Sequence, residues 1–162
     1  MKQLITTICT LMAVISFGQT IEGSLTINEK STATIELTTN KAVDLYADFR
    51  NKKHPILFQF IAKDIPLNDQ KQEVALITFK TTVKHNGNVV GQVERQPIPF
   101  FPGDMWMPIE TFDVISLLTK AGKNTPDAIS TLPKGSYEVI IEAHSLGVKG
   151  KIQPAVIYLF VK

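Results

Sequence analysis

Apolar and polar residues alternate along most of this chain with the two-residue period of a β-strand. Residues 43–50 carry apolar side chains at the odd positions and mostly polar ones at the even positions. On a pleated strand, this arrangement places one face in a core and the other in water. The same pattern recurs at residues 21–27, 33–38, 75–83 and 137–143. Residues 56–62 and 155–161 are apolar on both faces and rich in β-branched and aromatic residues, which predicts central strands.

Two glycine-containing segments predict connections between neighbouring strands. His85-Asn86-Gly87-Asn88 lies between two strand-like runs, and Asn-Gly tolerates the positive φ angles of a type I′ turn. We therefore expect a hairpin here, with Val83 approximately opposite Val89. Gly147 and Gly150 lie between the last two predicted strands, and they predict a second hairpin with a longer loop.

A proline-rich segment at residues 96–108 departs from this pattern. Because proline lacks the N–H donor of a strand ladder, the four prolines exclude a central strand and predict a crossover loop or an edge. The prolines are interleaved with large apolar side chains, namely Phe100, Phe101, Met105, Trp106 and Met107.

One short helix is predicted after the proline-rich segment. It starts at Thr111-Phe112-Asp113, runs to Ala121 and has Gly122 just past its end. Eight strands and this helix, in a continuous antiparallel order, predict an all-β fold, an antiparallel Ig-like β-sandwich. A small jelly roll or an open barrel is the structural alternative.

Two short stretches resemble parts of extracellular bacterial Ig-like and fibronectin-like domains. Leu132-Pro133-Lys134-Gly135-Ser136-Tyr137-Glu138-Val139 resembles the turn and strand with which many such domains begin their last hairpin. Pro102-Gly103-Asp104 is similar to a turn in the same group. The resemblance implies a sandwich fold and no activity, because this architecture carries many unrelated functions.

The first residues have the features of a secretory signal peptide. Lys2 gives a positive start, residues 4–17 form an apolar run that is short for a membrane span, and Ser16-Phe17-Gly18 precedes a cleavage point. The run resembles signal peptides of Bacteroidetes-type bacteria. We expect a signal peptide at residues 1–19 and a single domain at residues 20–162, exported to the periplasm or the extracellular space. An uncleaved N-terminal anchor is the alternative.

Export should therefore yield a mature protein that begins at Gln19 or Thr20, because the charge, the apolar run and the small residues all indicate cleavage there. The intact mass of the exported protein checks this expectation. A mass that still includes residues 1–17 would contradict the signal peptide and the localisation together.

Charge and cysteine content exclude several classes of function. The chain has 17 basic and 15 acidic residues, a formal net charge of +2, which is far from the footprint of a nucleic-acid-binding protein. The densest basic cluster, Arg50-Asn51-Lys52-Lys53-His54, is interpreted as a solvated turn between two strands. The only cysteine, Cys9, lies in the signal peptide, so the mature chain has no thiol for a disulfide, a nucleophile or a metal. No segment after the signal is long and apolar enough to span a bilayer.

The sequence predicts no metal and no cofactor. His54, His85 and His144 are each isolated, without the spacing of metal ligands. Thioether sulfur from Met105 and Met107, with a histidine brought in by the fold, is one arrangement that binds copper(I). Packing or contact surface explains these methionines more simply.

The sequence also lacks the motifs of the common enzyme classes. It contains no Gly-x-Ser-x-Gly, no His-Glu-x-x-His and no glycine-rich phosphate loop. Glu110 and Asp113 lie three residues apart near the predicted helix start, where capping accounts for them without catalysis. We therefore expect no enzyme.

The proline-rich segment is the best candidate for a ligand-binding surface. Prolines reduce the entropy that a loop loses on ordering, and aromatic and methionine side chains provide effective contact area. The sequence thus favours a non-catalytic, exported binding or accessory module for a protein or glycan partner. The alternatives are a periplasmic small-molecule or metal-binding protein and, less favoured, a hydrolase. The candidate binding residues are Phe100, Phe101, Met105, Trp106 and Met107; the competing interpretation is that Phe100, Phe101 and Trp106 plug one end of the sandwich.

Overall fold

The computed structural model describes residues 18–162, so the predicted signal peptide at residues 1–19 lies outside the described part of the chain except for Gly18 and Gln19. The fold is mostly β, with ten strands in two sheets. The strands are β1 (Thr20–Ile27), β2 (Thr32–Leu37), β3 (Ile56–Lys63), β4 (Ala75–His85), β5 (Asn88–Glu94), β6 (Ile98–Phe100), β7 (Gly103–Met107), β8 (Gly135–Ser145), β9 (Lys149–Gln153) and β10 (Ala155–Val161). The helices are α1 (Ala42–Arg50), a 3-10 helix (Ile109–Phe112) and α2 (Val114–Thr119).

The two sheets pack against one another around one apolar core. The first sheet has the strand order β7-β3-β1-β9, and the second has the order β2-β10-β8-β4-β5, with β6 added to β4. As predicted, residues 56–62 and 155–161 belong to interior strands, β3 and β10. No helix among residues 18–162 has the length and apolar character needed to cross a membrane.

The predicted antiparallel order is wrong for two strand pairs, because β1 pairs with β9 and β2 pairs with β10 in parallel. The chain leaves β8 in the second sheet, adds β9 to the first and returns as β10 beside β8. The glycines at 147 and 150 therefore mark a crossover between sheets and not the predicted hairpin. Gly150 has φ +147°, and a Cβ there would overlap the carbonyl oxygen of Ile21 on β1.

Residues 43–50, which the alternation predicts as a strand, form helix α1 instead. The buried residues are Ala42, Leu45 and Phe49, and their spacing of three and four residues is that of a helix face. Leu45 and Phe49 are core residues and Asp44 is exposed, as the strand interpretation also required. The apolar residues satisfy both periods, and packing of the helical face against the core decides between them.

The predicted hairpin at Asn86-Gly87 is confirmed. Asn86 and Gly87 have φ angles of 47° and 84°, and β4 and β5 pair on either side of them. A register shift after Val83 places this residue opposite Gly91, and Val89 pairs with Lys84 instead of the expected Val83.

A cluster of phenylalanine rings joins the two sheets at the centre of the core. The ring of Phe79 on β4 makes edge contacts with Phe58 on β3, with Phe100 on β6 and with Phe112 of the 3-10 helix, at centroid distances of 5.2 to 5.5 Å. Phe79 and Phe112 are almost completely buried. This cluster fixes the start of the proline-rich segment against the sandwich.

Candidate functional site

The proline-rich segment divides its large side chains between the core and the surface. It crosses from the second sheet, where β6 lies, to the first sheet, where β7 forms an edge, so the predicted crossover or edge is observed. On β7, Met105 and Met107 face the core, while Trp106 between them faces solvent. This is the ordinary alternation of a strand.

Two of the five predicted site residues are exposed. Trp106 is 63% exposed and Phe101 is 53% exposed, whereas Phe100 packs among the core phenylalanines. The interpretation of the segment as a plug therefore holds for Phe100 and not for Trp106. Trp106 pairs with Leu57 of β3 on the outer face of the first sheet.

Trp106 stands beside a groove of about 240 Å³ at one end of the β3–β7 pair. Helix α1 ends at Arg50, and the chain then turns through Lys52, with φ 58°, into β3. Because β3 and β7 are antiparallel, the start of β3 at Ile56 lies opposite the end of β7 at Met107. The groove is lined by Phe49, Arg50, Lys52, His54, Pro55, Ile56, Trp106, Met107, Pro108 and Ile109.

The lining of this groove carries positive charge and no carboxylate. The side chain of Arg50 is 60% exposed, and its only charged partner among residues 18–162 is Glu110, at 3.4 Å. The same Glu110 oxygen accepts a hydrogen bond from the Tyr46 hydroxyl at 2.7 Å, which raises the pKa of Tyr46. Lys52 has no carboxylate within 4.0 Å in the described part of the chain.

The side chain of His54 lines the groove but adds little positive charge to it. Burial lowers the pKa of its imidazole, so the ring is neutral at pH 7. The ring packs edge-on against Phe49 at 5.6 Å, and Nδ1 lies 3.3 Å from the amide nitrogen of Asn28. Its Nε2 is buried and has no hydrogen-bond partner among residues 18–162.

The basic cluster at residues 50–54 is the part of the site that the sequence analysis missed. The interpretation of this cluster as a solvated turn between two strands is wrong in one respect, because Arg50 is the last residue of α1 and the turn joins this helix to β3. The fold also brings Arg50, Lys52 and His54 to the groove beside Trp106, more than fifty residues away in the sequence. The charge run was the available signal, but nothing local connects it with the tryptophan.

Other candidate residues have separate structural partners. Among residues 18–162, no three His, Cys, Asp or Glu side chains are close enough to hold a metal ion. His85 stacks on Tyr137 at 4.3 Å, and His144 lies 3.9 Å from Glu142. These two histidines lie at opposite ends of the β4–β8 pair.

Asp113 lies at the N-cap position of α2, but its side chain does not make the predicted capping hydrogen bond. Its backbone is left-handed, with φ 54°, and separates the 3-10 helix from α2, which ends at Thr119 and not at Ala121. The carboxylate binds Arg95 through two hydrogen bonds of 2.6 and 2.8 Å and also accepts one from Asn124. Burial, the largest effect, raises the pKa of Asp113, but the hydrogen bonds from Arg95 and Asn124 outweigh it and lower the pKa.

Asp113→Asn should therefore reduce stability most at neutral pH. A carboxyl with a lowered folded pKa stabilises the fold fully above its unfolded pKa of about 4, and this stabilisation is lost as the pH falls through the folded pKa. The difference in unfolding free energy between the unmodified protein and the variant should shrink from about pH 5 to about pH 2. Urea unfolding at several pH values measures it, with the exposed loop variant Asp127→Asn as control. A difference independent of pH would contradict the role of the ion pair.

Two further depressions on the surface lack an aromatic anchor. One, of about 600 Å³, lies over the pairing of β1 with β9, and the other, of about 460 Å³, lies beside the β8–β9 crossover. Neither is lined by phenylalanine, tyrosine or tryptophan. The groove beside Trp106 therefore has the better chemistry for holding a ligand, although its volume is smaller.

No protein-family model matches the chain, and no curated protein is significantly similar to it in sequence.

Proposed function

We propose that this protein is a non-catalytic, exported binding or accessory module whose ligand, a protein or a glycan, docks on the groove beside Trp106. The observation that carries the proposal is the position of Trp106, which is 63% exposed on an edge strand at the rim of an apolar groove. Tryptophan is among the residues that most often dominate binding energy at interfaces, especially where it lies beside a pocket.

The rigidity of this segment supports the proposal. Trp106 is held by the pairing of β7 with β3, and Pro102 and Pro108 flank the strand. The neighbouring side chains of Met105 and Met107 pack against the core. A backbone that is already ordered loses little conformational entropy when a ligand binds, so the contact area of the side chain that it carries contributes more fully to affinity.

The size and lining of the groove favour a protein ligand over a small molecule. Pockets for small molecules usually have volumes of about 300 to 1,000 Å³ and enclose most of the ligand. The groove is smaller, about 240 Å³. A large partner can cover the exposed tryptophan and place one part of itself in such a groove.

A hydrogen bond at the start of β8 supports the proposed Ig-like relationship. The hydroxyl of Tyr137 donates to the carbonyl oxygen of Pro133 at 2.7 Å. Ig-like sandwiches often contain a tyrosine near a strand start whose hydroxyl bonds to the backbone a few residues upstream. Many cell-surface domains share this sandwich architecture, in agreement with the expected signal peptide.

Blocking the groove tests the proposed function. Without residues 1–19, the chain has no cysteine, so Lys52→Cys introduces a unique thiol at the groove. The exported variant is labelled with a bulky maleimide, immobilised and exposed to an envelope extract of the producing bacterium. Lys71→Cys is the matched control, because Lys71 is exposed in the loop after β3, at the other end of this strand from the groove, and has nearly the same φ as Lys52.

We expect the labelled control to capture a ligand from the extract and the labelled Lys52→Cys variant to capture none. Protease treatment of the extract then distinguishes a protein ligand from a glycan. Equal capture by both labelled variants would place the binding surface elsewhere and overturn the proposal.

A further inference from the structure

We infer that the ligand of this groove is an extended, acidic segment of another protein, which adds as a strand to the free edge of β7. The inference rests on the proposed function and names the chemistry of its partner. Two observations lead to it: β7 has an unpaired edge, and the groove at the end of this edge is positively charged.

The outer edge of β7 is available for pairing. In the described part of the chain, β7 is the terminal strand of its sheet and pairs only with β3. Among residues 18–162, no other backbone hydrogen bond involves Gly103–Met107. In an antiparallel pair, alternate residues direct N–H and C=O away from the neighbouring strand. β7 therefore presents unpaired donors and acceptors, the feature used by proteins that bind peptides by strand addition.

The opposite edge of the same sheet is protected by charge. There β9 carries Lys149 and Lys151, both exposed. Lysine on an edge strand is a common means of preventing unwanted pairing. β7 has no lysine, and the fourth of its five residues is the exposed Trp106, which lies between two core-facing methionines.

Charge indicates what the added strand carries and where. The groove at the Met107 end of β7 has Arg50 and Lys52 on its lining; Arg50 is paired with Glu110, and Lys52 has no carboxylate partner within residues 18–162. Towards the other end, the charged residue of β7 is Asp104, which is exposed. A peptide paired along β7 and continued past Met107 meets the two cations, so an acidic residue is favoured at that end and disfavoured beside Asp104.

Peptide selection tests this inference. Random peptides of about nine residues, long enough to extend beyond the five residues of β7, are displayed on phage and selected against the exported protein. A parallel selection uses the double variant Arg50→Glu with Lys52→Glu. Unchanged circular dichroism and unfolding midpoint show that this variant is folded. Selected peptides are then synthesised with N-methyl groups on each of the two alternate sets of amides.

We expect the protein to select peptides rich in β-branched residues with Asp or Glu near one end, and the double variant to lose them. Methylation of one alternate set of amides should weaken binding by more than about tenfold, and methylation of the other by less than about threefold, because only one edge of a strand pairs with β7. Replacing the acidic residues by their amides should weaken binding by about tenfold or more.

Three results would overturn the inference: no enrichment, enriched peptides without acidic residues, or equal effects of the two methylated sets. These outcomes differ from a failure of the proposed function. If the groove label abolishes capture of a glycan or of a folded protein surface while no acidic peptide binds, the groove is the binding site and its ligand is not an extended peptide.

Discussion

Replacing Trp106 with alanine is expected to weaken ligand binding by about 30-fold or more, the effect of losing a residue that dominates an interface. The same change should alter the free energy of unfolding by less than about 0.5 kcal/mol, because an exposed side chain contributes little to the core. The two effects are separable because Trp106 lies on the outer face of β7, where it pairs with Leu57 of β3.

Affinity measurement with the captured ligand and urea unfolding of the same preparations check both parts. Phe160→Ala is the matched control, because Phe160 is an exposed aromatic residue on β10 of the other sheet. This control should bind as the unmodified protein does. Equal binding by the Trp106→Ala variant, or a large loss of stability, would contradict the role of Trp106 as a surface anchor.

Phe79→Ala should destabilise the fold by about 3 to 5 kcal/mol, the range for truncating a buried aromatic residue. Phe79 is 1% exposed and makes edge contacts with three other phenylalanine rings from both sheets and the 3-10 helix. Its removal leaves a cavity and also loses aromatic contacts that contribute beyond buried area. The contacts of Phe100 with this ring hold the start of the proline-rich segment, so the loss extends towards the candidate site.

Denaturant unfolding of Phe79→Ala and of Phe101→Ala makes a direct comparison. Phe101 is a phenylalanine of the same segment that is 53% exposed, and its truncation should cost less than about 0.5 kcal/mol. Equal, small losses for the two variants would mean that Phe79 does not join the sheets as described.

The sequence predicted most strands and the hairpin, because both depend on local chemistry. Alternation marks one buried face in β1, β4 and β8, and the Asn-Gly pair tolerates the positive φ angles that the turn requires. Helix α1 was mistaken for a strand because Leu45 and Phe49 fit a period of two and a helical period equally well. Ala42, one turn before Leu45 and also buried, was the residue that favoured the helix.

Pairing between distant strands could not be predicted from such patterns. The apolar run of β10 predicts a strand but not its neighbours, and β9 has a single apolar residue and no alternation, so neither parallel pair is predicted by the sequence. The candidate site could be predicted only in part, for the same reason. If residues 103–107 are taken as a strand, alternation places Trp106 on the face opposite to Met105 and Met107. The position of Arg50 and Lys52 beside Trp106, by contrast, depends on the whole fold.

Fluorescence of Trp106, the only tryptophan in the sequence, tests most directly whether this side chain is the exposed anchor of a binding surface. In the free exported protein, the emission should be red-shifted and readily quenched by acrylamide, because the indole is mostly in water. Adding the captured ligand should shift the emission to shorter wavelength and protect it from quenching. A blue-shifted, shielded emission in the free protein, or an emission unchanged by a bound ligand, would contradict the assignment of this groove as the binding site.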